Sequence, residues 1–324
     1  MRDMVRAVAT MIVACVCAVV GNSPAMSAYP ERPIRLMVSF PPGGSSDAMA
    51  RIVQPGLERL LGQPIIIENR AGAGVMLAID VVAKAAPDGY LIGLGGAGAL
   101  GTNLALQEKM PYDPRKDVVP VSGLAGSPFI LAAAASFQGT TLRDVIAQAK
   151  TNGDKLSIGH GGNGTLMHLT AEMFNQMAGT KLALVPYRGI APVVSDLVGG
   201  HVALGIIDPP SGMSQIEAGQ IKTIAVSSAK RFPRLPQIPT LAESGLPGFE
   251  SNGWFGIVAP AATPADVITT LNTALVKVLN EPEVVERIRA LGAEPMPMTP
   301  AEYGAFIRTE IDKWLKVVAA GKPN

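Results

Sequence analysis

Cysteine is nearly missing from this chain: its two copies, Cys15 and Cys17, both lie in an apolar stretch near the N-terminus. No disulfide framework and no thiol chemistry can be built on the rest of the sequence. Histidine is scarce, with three copies at His160, His168 and His201, and neither an H-E-x-x-H nor a G-x-S-x-G pattern occurs. Neither a zinc site nor a serine triad is spelled out, so the sequence calls for no metal and no cofactor. Aromatic residues make up 5% of the chain while glycine occurs 35 times, which points to many tight backbone turns.

What is present begins with Met1-Arg2-Asp3-Met4-Val5-Arg6, an apolar run from Ala7 to Val20, and a break at Gly21-Asn22-Ser23-Pro24 before Ala25, Ser27 and Ala28. This pattern predicts a signal peptide over residues 1–28, cleaved after Ser27 or Ala28, and hence a periplasmic protein. The apolar run is too short to span a bilayer comfortably. Loss of Arg2, Arg6 and Asp3 with that segment takes the formal charge from +1 to zero. A neutral chain offers no broad field for nucleic acid or an anionic membrane.

Roughly 300 residues remain, more than one core usually holds. Strand-like runs, from Ile34–Phe40 to Phe255–Ala259, alternate with helical patterns, from Ser46–Leu61 to Pro300–Val318. That alternation is the mark of an α/β fold with mixed, mainly parallel sheets. The rhythm lapses over residues 112–128 and again over 232–253, where prolines recur. Two such crossings predict a discontinuous first domain, 29–127 plus 253–324, with a second, 128–252, inserted in it and a ligand cleft at their junction.

Two turns carry chemistry. Met37-Val38-Ser39-Phe40 runs into Pro41-Pro42-Gly43-Gly44-Ser45-Ser46-Asp47 and opens onto the helical pattern Ala48-Met49-Ala50-Arg51. The first N–H groups of a helix have no partner within it and sit at the positive end of its dipole, so an oxyanion is favoured there. Ser45 and Ser46 can cap the helix or aim a hydroxyl at a ligand, whereas Asp47 would repel a carboxylate and has a structural role. An ordinary strand–turn–helix joint with a serine cap remains the alternative. The second turn, Ile158-Gly159-His160-Gly161-Gly162-Asn163-Gly164-Thr165, again links a strand to a helix; Thr165 stands at the cap position and His168 one turn further on, where a core role is the commoner one.

Residues 159–164 and 93–98 also match G-x-G-x-x-G, but neither is followed by an acidic residue in the position a dinucleotide site requires. Ser227-Ser228-Ala229-Lys230 fits S-x-x-K, which leaves a periplasmic serine hydrolase or acyltransferase using Ser227 and Lys230 as the competing reading; the S-D-N and K-T-G partner motifs are absent.

Several further strings are familiar: Glu68-Asn69-Arg70, Ala86-Pro87-Asp88-Gly89-Tyr90, Pro111-Tyr112-Asp113-Pro114, Val185-Pro186-Tyr187-Arg188-Gly189, Pro239-Thr240 with Glu243, and Trp254-Phe255-Gly256. With the two turns they closely resemble the Bug family, the periplasmic solute-binding proteins of tripartite tricarboxylate transporters, in collinear order over nearly the whole chain. The resemblance implies a two-domain Venus-flytrap fold of the type II-like periplasmic-binding-protein class. It implies a receptor, not an enzyme, that holds a small di- or tricarboxylate or aromatic carboxylic acid. Its partners would be membrane permease subunits or a sensor kinase, and the protein would be a monomer. Carried over by position, the ligand-binding residues are Gly43, Gly44, Ser45 and Ser46 on one jaw, His160, Gly162, Gly164 and Thr165 on the other, and Tyr187 and Asp208 on the far side. His160 stands where the family commonly has serine, Ala71 where it commonly has proline, and Gly96, Ala97 and Leu100 where polar residues or histidine are frequent. These departures point to an apolar pocket and a ligand with a hydrocarbon or aromatic body rather than citrate.

Overall fold

Glycine and proline break the hydrophobic rhythm of residues 112–128, yet most of that segment forms an 11-residue strand. Pro120, Gly123, Gly126 and Pro128 hide it from a pattern search, because these residues ordinarily mark strand ends or bulges. The register does shift along its pairing with the neighbouring strand. The computed structural model describes residues 29–106 and 110–321. The expected signal peptide and its cleavage site lie outside the described residues.

In chain order the elements are β1 (Ile34–Val38), α1 (Ser45–Leu61), β2 (Ile65–Asn69), α2 (Leu77–Ala83), β3 (Leu91–Gly96), a π-helical turn (Gly98–Thr102), α3 (Asn103–Leu106), β4 (Val118–Pro128), β5 (Ile130–Ala134), α4 (Leu142–Asn152) and β6 (Ser157–His160). They continue with α5 (Leu166–Ala178), β7 (Ala183–Pro186), α6 (Ala191–Gly199), β8 (Leu204–Ile207), α7 (Pro209–Glu217), β9 (Ile221–Val226), β10 (Asn252–Pro260), α8 (Ala265–Leu279), α9 (Pro282–Ala290), β11 (Glu294–Pro295) and α10 (Pro300–Gly321). None of the described helices is long and apolar enough to cross a membrane.

The strands make two sheets, ordered β11-β4-β10-β3-β1-β2 and β7-β6-β8-β5-β9. Both are mixed, but the expected predominance of parallel pairing does not hold. Among the described strands, four pairings are parallel and five antiparallel. The antiparallel pairs all involve β4, β5 or β10, the strands at the ends of the two passages between sheets. There β4 stops at Pro128 in one sheet as β5 starts at Ile130 in the other, while β9 in the second sheet precedes β10 in the first.

Local chemistry explains the joints. Helix α1 places Asp47 in its first turn and Arg59 in its last, matching its dipole, and ends on Gly62, whose φ of 68° is the left-handed cap glycine accepts most easily. Gly56 on α1 lies against Val278 of α8, where an added Cβ would come 2.8 Å from the valine methyls; this close crossing holds α1 against the first sheet's core. That core gathers Leu36, Val53, Leu94, Ile257 and Leu275, all buried. Beneath the second sheet, Val193, Leu197 and Val202 pack on Ile130 and Ile207.

At the waist a single serine ties the passages together. Ser227 Oγ accepts from the Phe129 amide at 2.8 Å and donates to the Ser251 carbonyl. Both backbone bonds of Ser227, to Phe129 and from Ser251, are 2.9 Å. Ser251 Oγ in turn meets Thr170 Oγ1 of α5 at 2.6 Å.

Candidate functional site

The carboxyl ends of β1, β3, β6, β7 and β8 all open toward one cleft between the sheets, the place where open α/β folds take their ligands. The cleft holds a cavity of about 280 Å³. An apolar cavity of about 150 Å³ accommodates benzene, so this space suits a molecule of roughly twice that bulk.

From the six-stranded side, the turn after β1 brings Phe40, Pro41, Gly44, Ser45 and Ser46 to the cavity. Gly44 is the N-cap of α1, and no side chain caps that helix. Neither serine takes the cap role open to it in the sequence. Ser46 is 1% exposed and lines the cavity, and its buried hydroxyl finds no hydrogen-bond partner among the described residues. A buried hydroxyl left unpaired is costly, and at the start of a helix with no side-chain cap it is available to a ligand oxyanion. Asp47 does serve structure: its carboxylate accepts from the Gly43 amide at 3.1 Å, from Arg51 Nε at 2.9 Å and from Asn69 at 3.2 Å. Burial works to raise its pKa, but those three bonds prevail and hold it below the ordinary carboxylate value.

Ser45 reaches across the cleft and donates to Asp208 Oδ2 at 2.5 Å. Asp208 follows β8 and caps α7, its Oδ1 accepting from the Ser211 amide at 3.2 Å. It is 2% exposed. Burial pushes its carboxyl upward, against hydrogen bonds from the Ser45 and Ser211 side chains and from the Ser211 and Asp208 backbone that favour the anion.

The turn after β6 supplies Gly161, Thr165, Leu166 and Met167. Thr165 caps α5 as its position suggests, accepting from the His168 amide at 3.3 Å while donating to the Gly162 carbonyl at 2.7 Å. Gly164, with φ of 81°, is pressed against the opposite side of the cleft: an added Cβ would lie 2.5 Å from Asn103 Oδ1. Thr102 Oγ1 meets the Gly164 carbonyl at 3.3 Å.

Of the residues carried over from the sequence, Gly44, Ser45, Ser46, Thr165 and Asp208 line the cavity, and Gly43, His160, Gly162, Gly164 and Tyr187 stand behind it. Gly43 shapes the turn with φ of 80°. His160 is fully buried and stacks on His168 with ring centroids 4.9 Å apart. Burial, then the neighbouring His168 ring, draws its pKa down to about 4, and its Nδ1 takes the Gly162 amide at 3.4 Å. Tyr187 donates to Asp196 at 2.7 Å; burial and that carboxylate push its hydroxyl up to about 12.

Much of the wall comes from residues the sequence reading did not select. Phe129, Met167, Ile190, Trp254 and Phe255 make it apolar, and Arg188 adds a cation. Arg188 is exposed and has no ion-pair partner among the described residues. Its signal was available: Tyr187-Arg188-Gly189-Ile190-Ala191-Pro192 is a third strand-to-helix turn. Trp254 is aimed by Glu310, whose Oε2 accepts from the indoles of Trp254 at 3.1 Å and Trp314 at 3.2 Å. Ser227, the nucleophile of the competing hydrolase reading, is 1% exposed and does not line the cavity. Its hydroxyl is engaged by main chain on both sides, as described above. Among the described residues there is no cluster of acidic, histidine or cysteine side chains able to hold a metal ion.

Residues 49–321 match the model of the tripartite tricarboxylate transporter family receptor. Protein BugT of Bordetella pertussis is 38% identical over 291 residues, covering 90% of this chain and 89% of its own. Two solved structures superpose closely. Rpa4515 of R. palustris with adipate gives a TM-score of 0.87 at 36% identity, covering 91% of this chain and 98% of that one. MatC of Rhodopseudomonas palustris with bound malate gives 0.85 at 33%, covering 90% and 100%.

Proposed function

We infer that this chain, which belongs to the tripartite tricarboxylate transporter receptor family, is a periplasmic solute-binding receptor that captures a small carboxylate and hands it unchanged to membrane permease subunits. The observation that carries the reading is Ser46: a buried hydroxyl without a partner among the described residues, in the first turn of α1, which no side chain caps, on a residue that lines a cavity of about 280 Å³. The apolar wall supports a ligand with a hydrocarbon or aromatic body, and Arg188 offers a place for a second anionic end. Of the acids bound in two related structures, adipate joins two carboxylates through a hydrocarbon chain, and malate is a smaller, hydroxylated dicarboxylate.

In this reading the cavity lies between a first domain of residues 29–127 plus 253–324 and an inserted one of 128–252. Ser45, Ser46, Thr165 and Asp208 contact the ligand, with Gly44 shaping the turn that carries the serines; Gly43, His160, Gly162, Gly164 and Tyr187 support the loops from behind. Micromolar affinity needs about 8 kcal/mol. Charge-assisted hydrogen bonds contribute roughly 1.5–3 kcal/mol each, so the donors of one turn fall short once ordering costs are subtracted and both sides of the cleft must engage.

The test is reversible thermal stabilisation, followed by calorimetry, with adipate, succinate, benzoate and citrate. Micromolar binding of an acid with an apolar body supports the reading. A clear preference for citrate rejects the apolar-body assignment, and the absence of stabilisation by every acid rejects the receptor.

A further inference from the structure

The anion-seeking end of α1 is already facing a carboxylate of the protein's own. Asp208 Oδ2 is 2.5 Å from Ser45 Oγ in the first turn of α1, and Ser46, the next residue, holds the unpartnered hydroxyl that the ligand would meet. A ligand carboxylate drawn to the same turn therefore comes to lie beside Asp208, which is itself 2% exposed. Two carboxylates in one buried site cannot both stay ionised cheaply; one takes a proton, and the one with the weaker compensation is the one that does.

The surroundings supply Asp208 with little compensation. From its own helix it has the Ser211 amide and side chain and its own backbone, and from α1 the Ser45 hydroxyl, all of them neutral donors. The charged pair on α1, Asp47 and Arg51, is joined at 2.9 Å and engaged with itself. Arg188, across the cavity, is exposed to solvent. Where the turn after α9 packs on Pro209 through Gly292, Arg289 and Glu294 are paired at 2.9 Å, and Arg234, bonded to the Ala290 carbonyl, is paired with Glu217 of α7 at 2.5 Å. The stacked His160 and His168 lie under the facing loop, with His168 3.8 Å from Glu172. No cation touches Asp208 among the described residues. Burial in this cleft already favours its neutral form.

Resting on the receptor reading above, we propose that capture of a carboxylate at this site is coupled to proton uptake by Asp208, so that the neutral acid donates to, rather than repels, the bound anion. Ser45 and Asp208 are 163 residues apart in sequence and meet only across the cleft. Closure is thus the step that removes Asp208 from water and raises its proton affinity. The ligand is held as the anion and the receptor carries the proton.

Calorimetry in buffers of differing ionisation heat, with whichever of adipate, succinate or benzoate binds, reads the proton directly in the wild-type protein. Between about pH 7.5 and 8.5 these acids, whose last carboxyl pKa lies below about 5.7, are almost entirely ionised. Proton uptake is expected on binding, with Kd rising with pH toward a limit of about tenfold per unit. Asp208→Asn keeps the cap of α7 and mimics the neutral acid; it should bind with an affinity that no longer varies with pH, tighter than wild type at the alkaline end. Binding of a carboxylate without proton uptake, or uptake that persists in D208N, overturns the coupling and leaves the receptor reading standing. Failure of all three acids and of citrate to bind removes the receptor reading and this inference with it.

Discussion

Replacing Ser46 with alanine should move stability and affinity in opposite directions. In the unliganded protein the Ser46 hydroxyl is 1% exposed and unpaired, so its removal takes away a desolvated polar group and leaves a methyl-sized side chain in the same helix position. Deleting an unsatisfied hydroxyl is neutral to stabilising, and alanine is the better helix former, so unfolding free energy should stay level or rise by about 0.5 kcal/mol. A hydrogen bond to a charged group is worth roughly 1.5–3 kcal/mol, so ligand binding should weaken by about 10- to 100-fold. Chemical denaturation gives the first quantity, and titration calorimetry with a stabilising carboxylate the second. Ser46→Leu, which fills the cavity, should abolish binding without unfolding the protein. An S46A variant that binds as tightly as wild type would take the hydroxyl out of the site. One that loses more than about 1 kcal/mol of stability would reveal a structural bond where none is seen.

Three further outcomes follow from the same geometry. Ser227→Ala strips the buried Phe129 amide of its acceptor and should cost about 1–3 kcal/mol in denaturation, while a penicillin-like probe should leave wild-type Ser227 unlabelled; covalent labelling there would revive the hydrolase. Gly164→Ala forces a side chain onto a backbone with φ of 81°, 2.5 Å from Asn103 Oδ1. Left-handed strain alone is worth about 1–2 kcal/mol, so affinity should fall at least tenfold. X-ray scattering should then show no compaction on addition of a carboxylate that compacts wild type. His160 has a pKa lowered from 6.5 to about 4, so the folded state prefers it neutral. Its contribution is intact above about pH 6.5, fades as pH falls, and is gone below about 4, a loss of about 3 kcal/mol. His160→Asn should flatten that part of the stability profile, and an unchanged acid slope would refute the assignment.

The turn after β1 was legible because three signals coincide there: a strand-like run, a Pro-Pro-Gly-Gly break, and a change to helical period at Ala48. Thr165 as a cap was legible for the same reason. Strand β4 was not, since its prolines and glycines imitate a loop and only its long pairing with β10 reveals the strand. The apolar wall was hidden differently: Phe129, Trp254 and Phe255 are apolar residues on or beside strands, and nothing in a sequence separates a side chain that fills a core from one that borders a cavity. Gly164 carried a signal in its glycine: its backbone is left-handed, with φ of 81°, and it lies close to Asn103 on the far side of the cleft.

The passages between the two sheets and the pocket share residues. Phe129 follows β4 directly, its amide is held by Ser227, and its ring lies against Gly253, where an added Cβ would come 2.7 Å from it. The same ring lines the cavity, as do Gly253 and Trp254. A ligand that fills the apolar wall therefore touches the passages between the sheets themselves, whereas a purely polar ligand would engage only the helix starts. On the proposed receptor reading, hydrophobic contact there would act on the passages and the donor at Ser46 on the closed form, so an acid with both parts should drive closure further than either part alone. Trp254, bonded to Glu310 on α10, is positioned to report this. Its fluorescence should shift with benzoate or adipate more than with acetate at equal occupancy, and an equal shift for all three would mean that the wall plays no part in closing the cleft.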